Sequence, residues 1–306
     1  MLADLSLLLV AAVWGLTFVT VKNAIALLPP FSFNFYRFSL AALVMIAIAL
    51  LKGEKLRLQT VQAGLLVGFF LFNGYSFQTV GLAYTTAANA GFLTGLSVVL
   101  VPIVTVVLTR RRPQAGVMAG AACAACGLAV LSLADLAGFS AGDLLVLCCA
   151  LFFALHIVFV GRFSPHHPTV WLVAVQIATV AVLSGLSGLL LEGGIQKPVV
   201  AETGTALLIT ALFATCLAFF TQNYMQRFTS PGHTAIIFAS EPVFTAFFAV
   251  LLLRETLLPN TYLGGALIVA GMLLAELGNF FRPAKRQEAN AGQKHNETKK
   301  PAGGFN

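Results

Sequence analysis

The stretch 233-HTAIIFASEPVFTAFFAVLLL-253 decides which solvent this chain folds in. It is apolar over the length a bilayer-crossing helix needs, roughly 20 residues, and one acid, Glu241, stands beside Pro242 in its middle. A charge at the centre of a membrane helix costs about 2.5–3.5 kcal/mol on insertion scales. Glu241 must therefore find something that offsets this cost, or stay protonated.

The rest of the chain makes lipid the solvent. Of 306 residues, 58% are apolar and 9% are charged, against about 25% charged in soluble domains. A water-soluble chain of this length could not cover so much apolar surface, so it reads as an all-α integral membrane protein. The net charge of +7 is spread as membrane orientation requires, and nucleic acid is not expected as a partner. Cys123, Cys126, Cys148, Cys149 and Cys216 lie inside apolar runs. The Cys123-x-x-Cys126 pair has no second ligand pair nearby, so it reads as small packing residues rather than a metal or redox site. No metal and no cofactor is expected. The opening MLADLSLLLVAAVWG lacks a basic leader and contains Asp4, which suits an uncleaved first span better than a signal peptide.

Spanning runs fall at about 4–22, 31–51, 60–82, 88–109, 115–134, 142–162, 168–191, 204–226, 233–253 and 260–281. Ten crossings put both termini on one side. That side collects Lys52, Lys55, Arg57, Arg110, Arg111, Arg112, Arg162, Arg227 and six cations of the tail, against Lys22, Lys197 and Arg254 opposite. The split of 14 to 3 predicts cytoplasmic termini in the cell (inner) membrane. Residues 283–306 are polar, basic and aperiodic, which predicts a disordered cytoplasmic tail; its Asn296 sequon is a chance match on that side.

The chain also matches itself. Residues 78–134 align without a gap on 222–278, with Gln78/Gln222, Gly120/Gly264 and Gly127/Gly271 among the identities. With a second register, 11-AAVWGLTFVTV-21 meets 150-ALFFALHIVFV-160. The matches pair the first run with the sixth and the third, fourth and fifth with the eighth, ninth and tenth. A unit of five spans is odd, so a second copy enters the bilayer upside down. The expectation is one repeat over 1–137, an inverted one over 138–282, and a central cavity between them, as in secondary transporters.

These residues resemble a known family. WGLTFVTVK, PPFSFNFYRFSLAAL, YTTAANAGFLTGLSVVLVPIV, SEPVFTAFFAVLLLRETL and GGALIVAGMLLAEL look like the EamA family of the drug/metabolite transporter superfamily, over residues 5–281. The resemblance implies ten helices in two inverted five-helix units. It implies a cavity lined mainly by helices one, three, four, six, eight and nine, and movement of small metabolites, often outward. Because Glu-Pro is a motif of the family, Glu241 and Pro242 are expected in gating or coupling, with Pro102 their counterpart in the first copy. Simple repeat symmetry would put that proline at Val98, so the two halves cannot be assumed to bend alike.

Helical spacing sorts the intramembrane polar groups into faces, which lipid cannot satisfy. The expected cavity residues are Trp14, Thr17, Asn73, Gln78, His156, Gln222, Glu241 and Thr245. Aromatic rings mixed with amides suit an amphipathic small molecule. For Asn73, Gln78 and Gln222, helix-to-helix hydrogen bonding is the competing reading, and the Trp14-Gly15 pair could equally be a packing device. His156 is either a hydrogen-bonded structural residue or a proton relay. Arg37, isolated in the second run, is expected to snorkel to the outer surface, with an acid partner as the alternative. Gly64/Gly68, Gly91/Gly95 and Gly116/Gly120 read as sites of close helix approach.

The function expected is secondary active transport, in the export direction, of small organic solutes such as amino acids, by alternating access with possible proton coupling. No phosphate-binding loop for ATP is present. An intramembrane enzyme would need a convergent set of acids, a Ser–His pair or a metal cluster, and the sequence has one mid-span His and one mid-span Glu. A non-transporting receptor or assembly protein would need more surface than these short loops offer. Cargo, coupling ion and oligomeric state are left open.

Overall fold

The structure, a computed structural model, describes residues 2–85, 87–110, 113–132, 140–253 and 259–280. The tail 283–306, Arg111, Arg112 and Arg254 lie outside the described residues. Among the described residues all regular structure is helical. The helices are α1 (Leu2–Ile25), α2 (Pro30–Leu51), α3 (Leu58–Tyr84), α4 (Ala87–Gly95), α5 (Ser97–Thr109), α6 (Ala115–Ser132), α7 (Ala141–Phe163) and α8 (Thr169–Leu191). They continue as α9 (Val200–Ala211), a π-helical turn (Leu212–Leu217), α10 (Ala218–Met225), α11 (Pro231–Phe238), α12 (Glu241–Leu253) and α13 (Pro259–Phe280). Seven stretches among the described residues are long and apolar enough to cross a membrane.

Local chemistry sets the ends. Pro30, Pro231 and Pro259 stand at helix starts, where a missing N–H breaks no ladder. The Ser140 hydroxyl accepts from the Asp143 backbone N–H while the Asp143 carboxylate accepts from Ser140 N, a reciprocal cap on α7. At the start of α2, the Glu192 carboxylate from the end of α8 accepts Phe31 N at 2.7 Å and Ser32 N at 2.9 Å. An acid from one helix thus satisfies the orphan donors of another and complements its dipole.

The most extensive crossings between the two halves are α2 on α8, α3 on α7, α3 on α8 and α6 on α13. The α6–α13 crossing is built on glycine from both sides. A Cβ on Gly127 would lie 2.6 Å from Gly264 O, and one on Gly271 would lie 2.7 Å from Gly120 O. These residues are the ones the repeat register pairs, so each helix presents the same small surface to the other. Cys123 Sγ donates to Leu267 O at the same crossing, across a separation of 144 residues. Gly64 and Gly68 let α8 approach α3, where an added Cβ would come within 2.6 Å of Val175 and Thr179. Gly91 differs from expectation: nothing lies within 4 Å of where its Cβ would be. The sequence gives its spacing from Gly95 but not the rotation of its helix.

The fourth and ninth runs are each broken, α4 from α5 and α11 from α12. Leu96 N turns back to Leu93 O at 3.2 Å, and Ser240 N turns back to Ile237 O at 3.0 Å. Both turns then restart a helix, through Leu100 N to Leu96 O and Phe244 N to Ser240 O. These are equivalent positions, so the halves break alike although their prolines do not align. Pro242 follows its break at once, whereas Pro102 lies inside α5. Tertiary packing accounts for the match: α4 and α5 lean on α7 as α11 and α12 lean on α1.

Candidate functional site

A cavity opens between α1, α2, α3, the α4–α5 break, α7, α10 and the α11–α12 break. Its wall repeats itself. Helix α1 supplies Trp14, Thr17 and Phe18, and at a fixed offset α7 supplies Phe153, His156 and Ile157. Helix α3 supplies Tyr75 and Gln78, while α10 supplies Phe219 and Gln222. At the two breaks Thr94 and Ser97 face the cavity from one half, and Phe238 and Glu241 from the other. The register that aligns the sequence on itself therefore also pairs most of this surface.

The expected residues separate. Trp14, Thr17, Gln78, His156, Gln222 and Glu241 line the cavity; Asn73 and Thr245 do not. Asn73 spends its amide on Phe69 O in its own helix, at 2.8 Å. Thr245 Oγ1 lies 3.2 Å from Gly15 O and 3.1 Å from Glu241 O, and so serves the contact of α12 with α1. Pro102 is buried in α5 and Pro242 stands in the first turn of α12, both outside the lining.

The Trp14-Gly15 pair does both things considered for it. A Cβ on Gly15 would lie 2.8 Å from Glu241 O, so the glycine admits α12. Trp14 turns the other way, lines the cavity and donates Nε1–H to Ala214 O at 2.9 Å. That carbonyl lies in the π-turn, whose widened ladder leaves backbone groups for outside partners.

His156 is buried and its Nε2 lies 2.9 Å from Gln176 Oε1. The Gln176 amide nitrogen in turn donates to Asn223 Oδ1 at 3.1 Å, which leaves the oxygen for the imidazole. Gln78 Nε2 donates to Thr94 Oγ1 at 3.2 Å, and Gln222 Nε2 to Gln226 Oε1 at 3.0 Å. Gln78 thus ties α3 to α4 while Gln222 bonds along its own helix, and both residues line the cavity. Gln222 Oε1 is buried and has no hydrogen-bond partner among the described residues. The cavity-facing acid Glu241 answers the question its run raised: it looks inward, away from acyl chains.

Arg37 is the correction. It does not snorkel: it is 3% exposed and lines the cavity. Nε donates to Thr215 Oγ1 at 2.8 Å, and Nη2 lies 3.3 Å from Tyr75 Oη and 3.4 Å from Ala214 O. Its guanidinium carbon stands 4.8 Å from the Tyr75 ring centre and 5.2 Å from that of Phe38. The π-turn and two rings make an inward site that a run of apolar neighbours could not reveal. Ser97, Phe153 and Phe238 were also missed. The repeat register could have found Ser97 as the counterpart of Glu241 and Phe153 as that of Trp14.

Residues 1–133 and 140–277 match the EamA-like transporter family, and the chain belongs to that family. An uncharacterized transporter of Archaeoglobus fulgidus is 37% identical over 90% of this chain and 86% of its own length. A Salmonella typhimurium protein named a probable amino-acid metabolite efflux pump is 30% identical over 89% of this chain and 93% of its own. A solved protein crystal structure shares the fold with a TM-score of 0.75 at 22% identity, covering 90% of this chain and 96% of that one.

Proposed function

We propose that this membrane transporter exports small amphipathic metabolites, such as amino acids, by alternating access of two oppositely oriented five-helix units. The observation that carries the reading is the cavity wall, where equivalent positions of the two halves face each other across one hollow. The mirrored glycines of α6 and α13 and the matched helix breaks support it, as do the two separate stretches that match the family. Two similar units that meet in this way can exchange conformations and open the same site to either side. The reading has ten crossings, counted from the apolar runs, in the inner membrane, and the cation distribution across them supports cytoplasmic termini.

Rings from Trp14, Tyr75, Phe153, Phe219 and Phe238 give the cavity an apolar body, and Arg37, Gln222 and Glu241 give it polar ends. The Salmonella relative's name fits such a cargo. Glu241 is the group assigned to proton coupling, with Pro242 and Pro102 beside or beyond the breaks as the gating elements.

Purified protein in vesicles, assayed with labelled amino acids and related solutes with and without a proton gradient, tests the reading. Efflux or uptake of at least one solute, changed by the gradient, is expected. No flux of any of them through folded protein overturns it. Cysteine labelling from each side then tests the orientation: both ends must react from the same face.

A further inference from the structure

We infer that Arg37 anchors an anionic group of the cargo, so that the transported solute is a carboxylate with an apolar body. The inference rests on the transporter reading of the cavity and adds a chemical class to it. A buried charge is costly unless it is paired, and a guanidinium cannot shed its charge as a lysine can. Yet Arg37, almost wholly enclosed, has no acid partner among the described residues. Glu241 shares its cavity, but no ion pair joins the two.

The partners that Arg37 does have hold it without neutralising it. Thr215 Oγ1 takes Nε at 2.8 Å, while Tyr75 Oη and Ala214 O lie at the long distances of 3.3 and 3.4 Å from Nη2. Nη1 is engaged by none of them. The guanidinium is thereby fixed against two rings, with one nitrogen open and a second only loosely held, and its residue lines the cavity. That is the donor pair an end-on carboxylate needs. Gln222 lines the same cavity, and its Oε1 is a buried acceptor with no partner among the described residues. It suits an N–H of the occupant and would repel a second carboxylate. On the same wall the ring of Phe219 stands 5.6 Å from Trp14 and 6.1 Å from Tyr75, an apolar bed for the body of the solute.

The test is binding by delipidated protein in neutral detergent, read by calorimetry. Phenylalanine, 3-phenylpropionate and leucine are titrated against phenylalaninamide and leucinamide, with short-chain phosphatidylglycerol as the lipid alternative. Because hydrogen bonds to charged groups contribute about 1.5–3 kcal/mol, the acids should bind at least about tenfold more tightly than the amides. Arg37→Gln should shrink that preference below about threefold, and Arg37→Lys should retain part of it. Equal affinity for acid and amide in the unaltered protein overturns the inference whether or not the variants fold. So does binding of the lipid alone, or of none of the acids. Transport without acid preference leaves the transporter reading standing and removes this one; Arg37-dependent acid binding without flux does the reverse.

Discussion

Helices α3 and α9–α10 hold corresponding places in the internal repeat, yet one runs as unbroken α-helix from Leu58 to Tyr84 and the other is interrupted by a π-turn at Leu212–Leu217. The regular helix satisfies its own backbone. The interrupted one leaves Ala214 O for Trp14 and Arg37, both supplied by the first half. The α4–α5 and α11–α12 runs teach the opposite lesson, since they break at matched positions despite unmatched prolines. The two halves therefore agree in how their helices bend around the cavity and differ in the polar groups they bring to it. Ser97 stands where the other half has Glu241, and Thr17 stands where it has His156.

The α6–α13 crossing should give the largest effect. Gly127→Val and Gly271→Val each press side-chain atoms on a backbone carbonyl of the facing helix, and each should destabilise by about 2–3 kcal/mol or more. Thermal unfolding in detergent checks this; loss in one variant alone would break the mirrored picture of the crossing. Gly91→Ala, placed in open space, is the reference and should shift stability by less than about 1 kcal/mol.

The acid and its counterpart come next. Glu241→Gln should slow gradient-driven flux in vesicles by about tenfold, because intramembrane ionisable groups facing a cavity carry function; Ser97→Ala should change it by less than about twofold. Similar losses in both would mean that the two breaks act alike and that the charge is incidental. Trp14→Phe keeps the ring but removes the bond to Ala214 O, and should lower stability by about 1 kcal/mol. The smallest change should come from Asn73→Ala, whose amide bonds within its own helix; flux and melting temperature should stay near those of the unaltered protein. A clear loss of flux there would move the cavity wall by one helix face.

Much of the candidate site could be read before the fold was seen, and the failures have one cause. Trp14, Gln78, His156, Gln222 and Glu241 were legible because a polar or aromatic group on an apolar helix must face protein. Asn73 carries the same signal, yet it bonds to Phe69 O behind it. Thr245 shares a helical face with Glu241 by spacing, yet it meets Gly15 where α12 presses on α1. Spacing tells which residues lie together on a helix; it does not tell what stands opposite them.

What the sequence determined by itself was the solvent, the helical class and order of the apolar runs, and the register that repeats. All three are sums over local composition or matches along the chain, and they survive any rotation of one helix against another. Only the tertiary structure decided that Arg37 turns inward, that a π-turn supplies two of its acceptors, and that Gln222, with its unpartnered oxygen, and Glu241 line the same hollow. Those outcomes depend on how far each helix is turned when it packs. Side-chain contact across the crossings sets that angle, and neighbours in sequence do not.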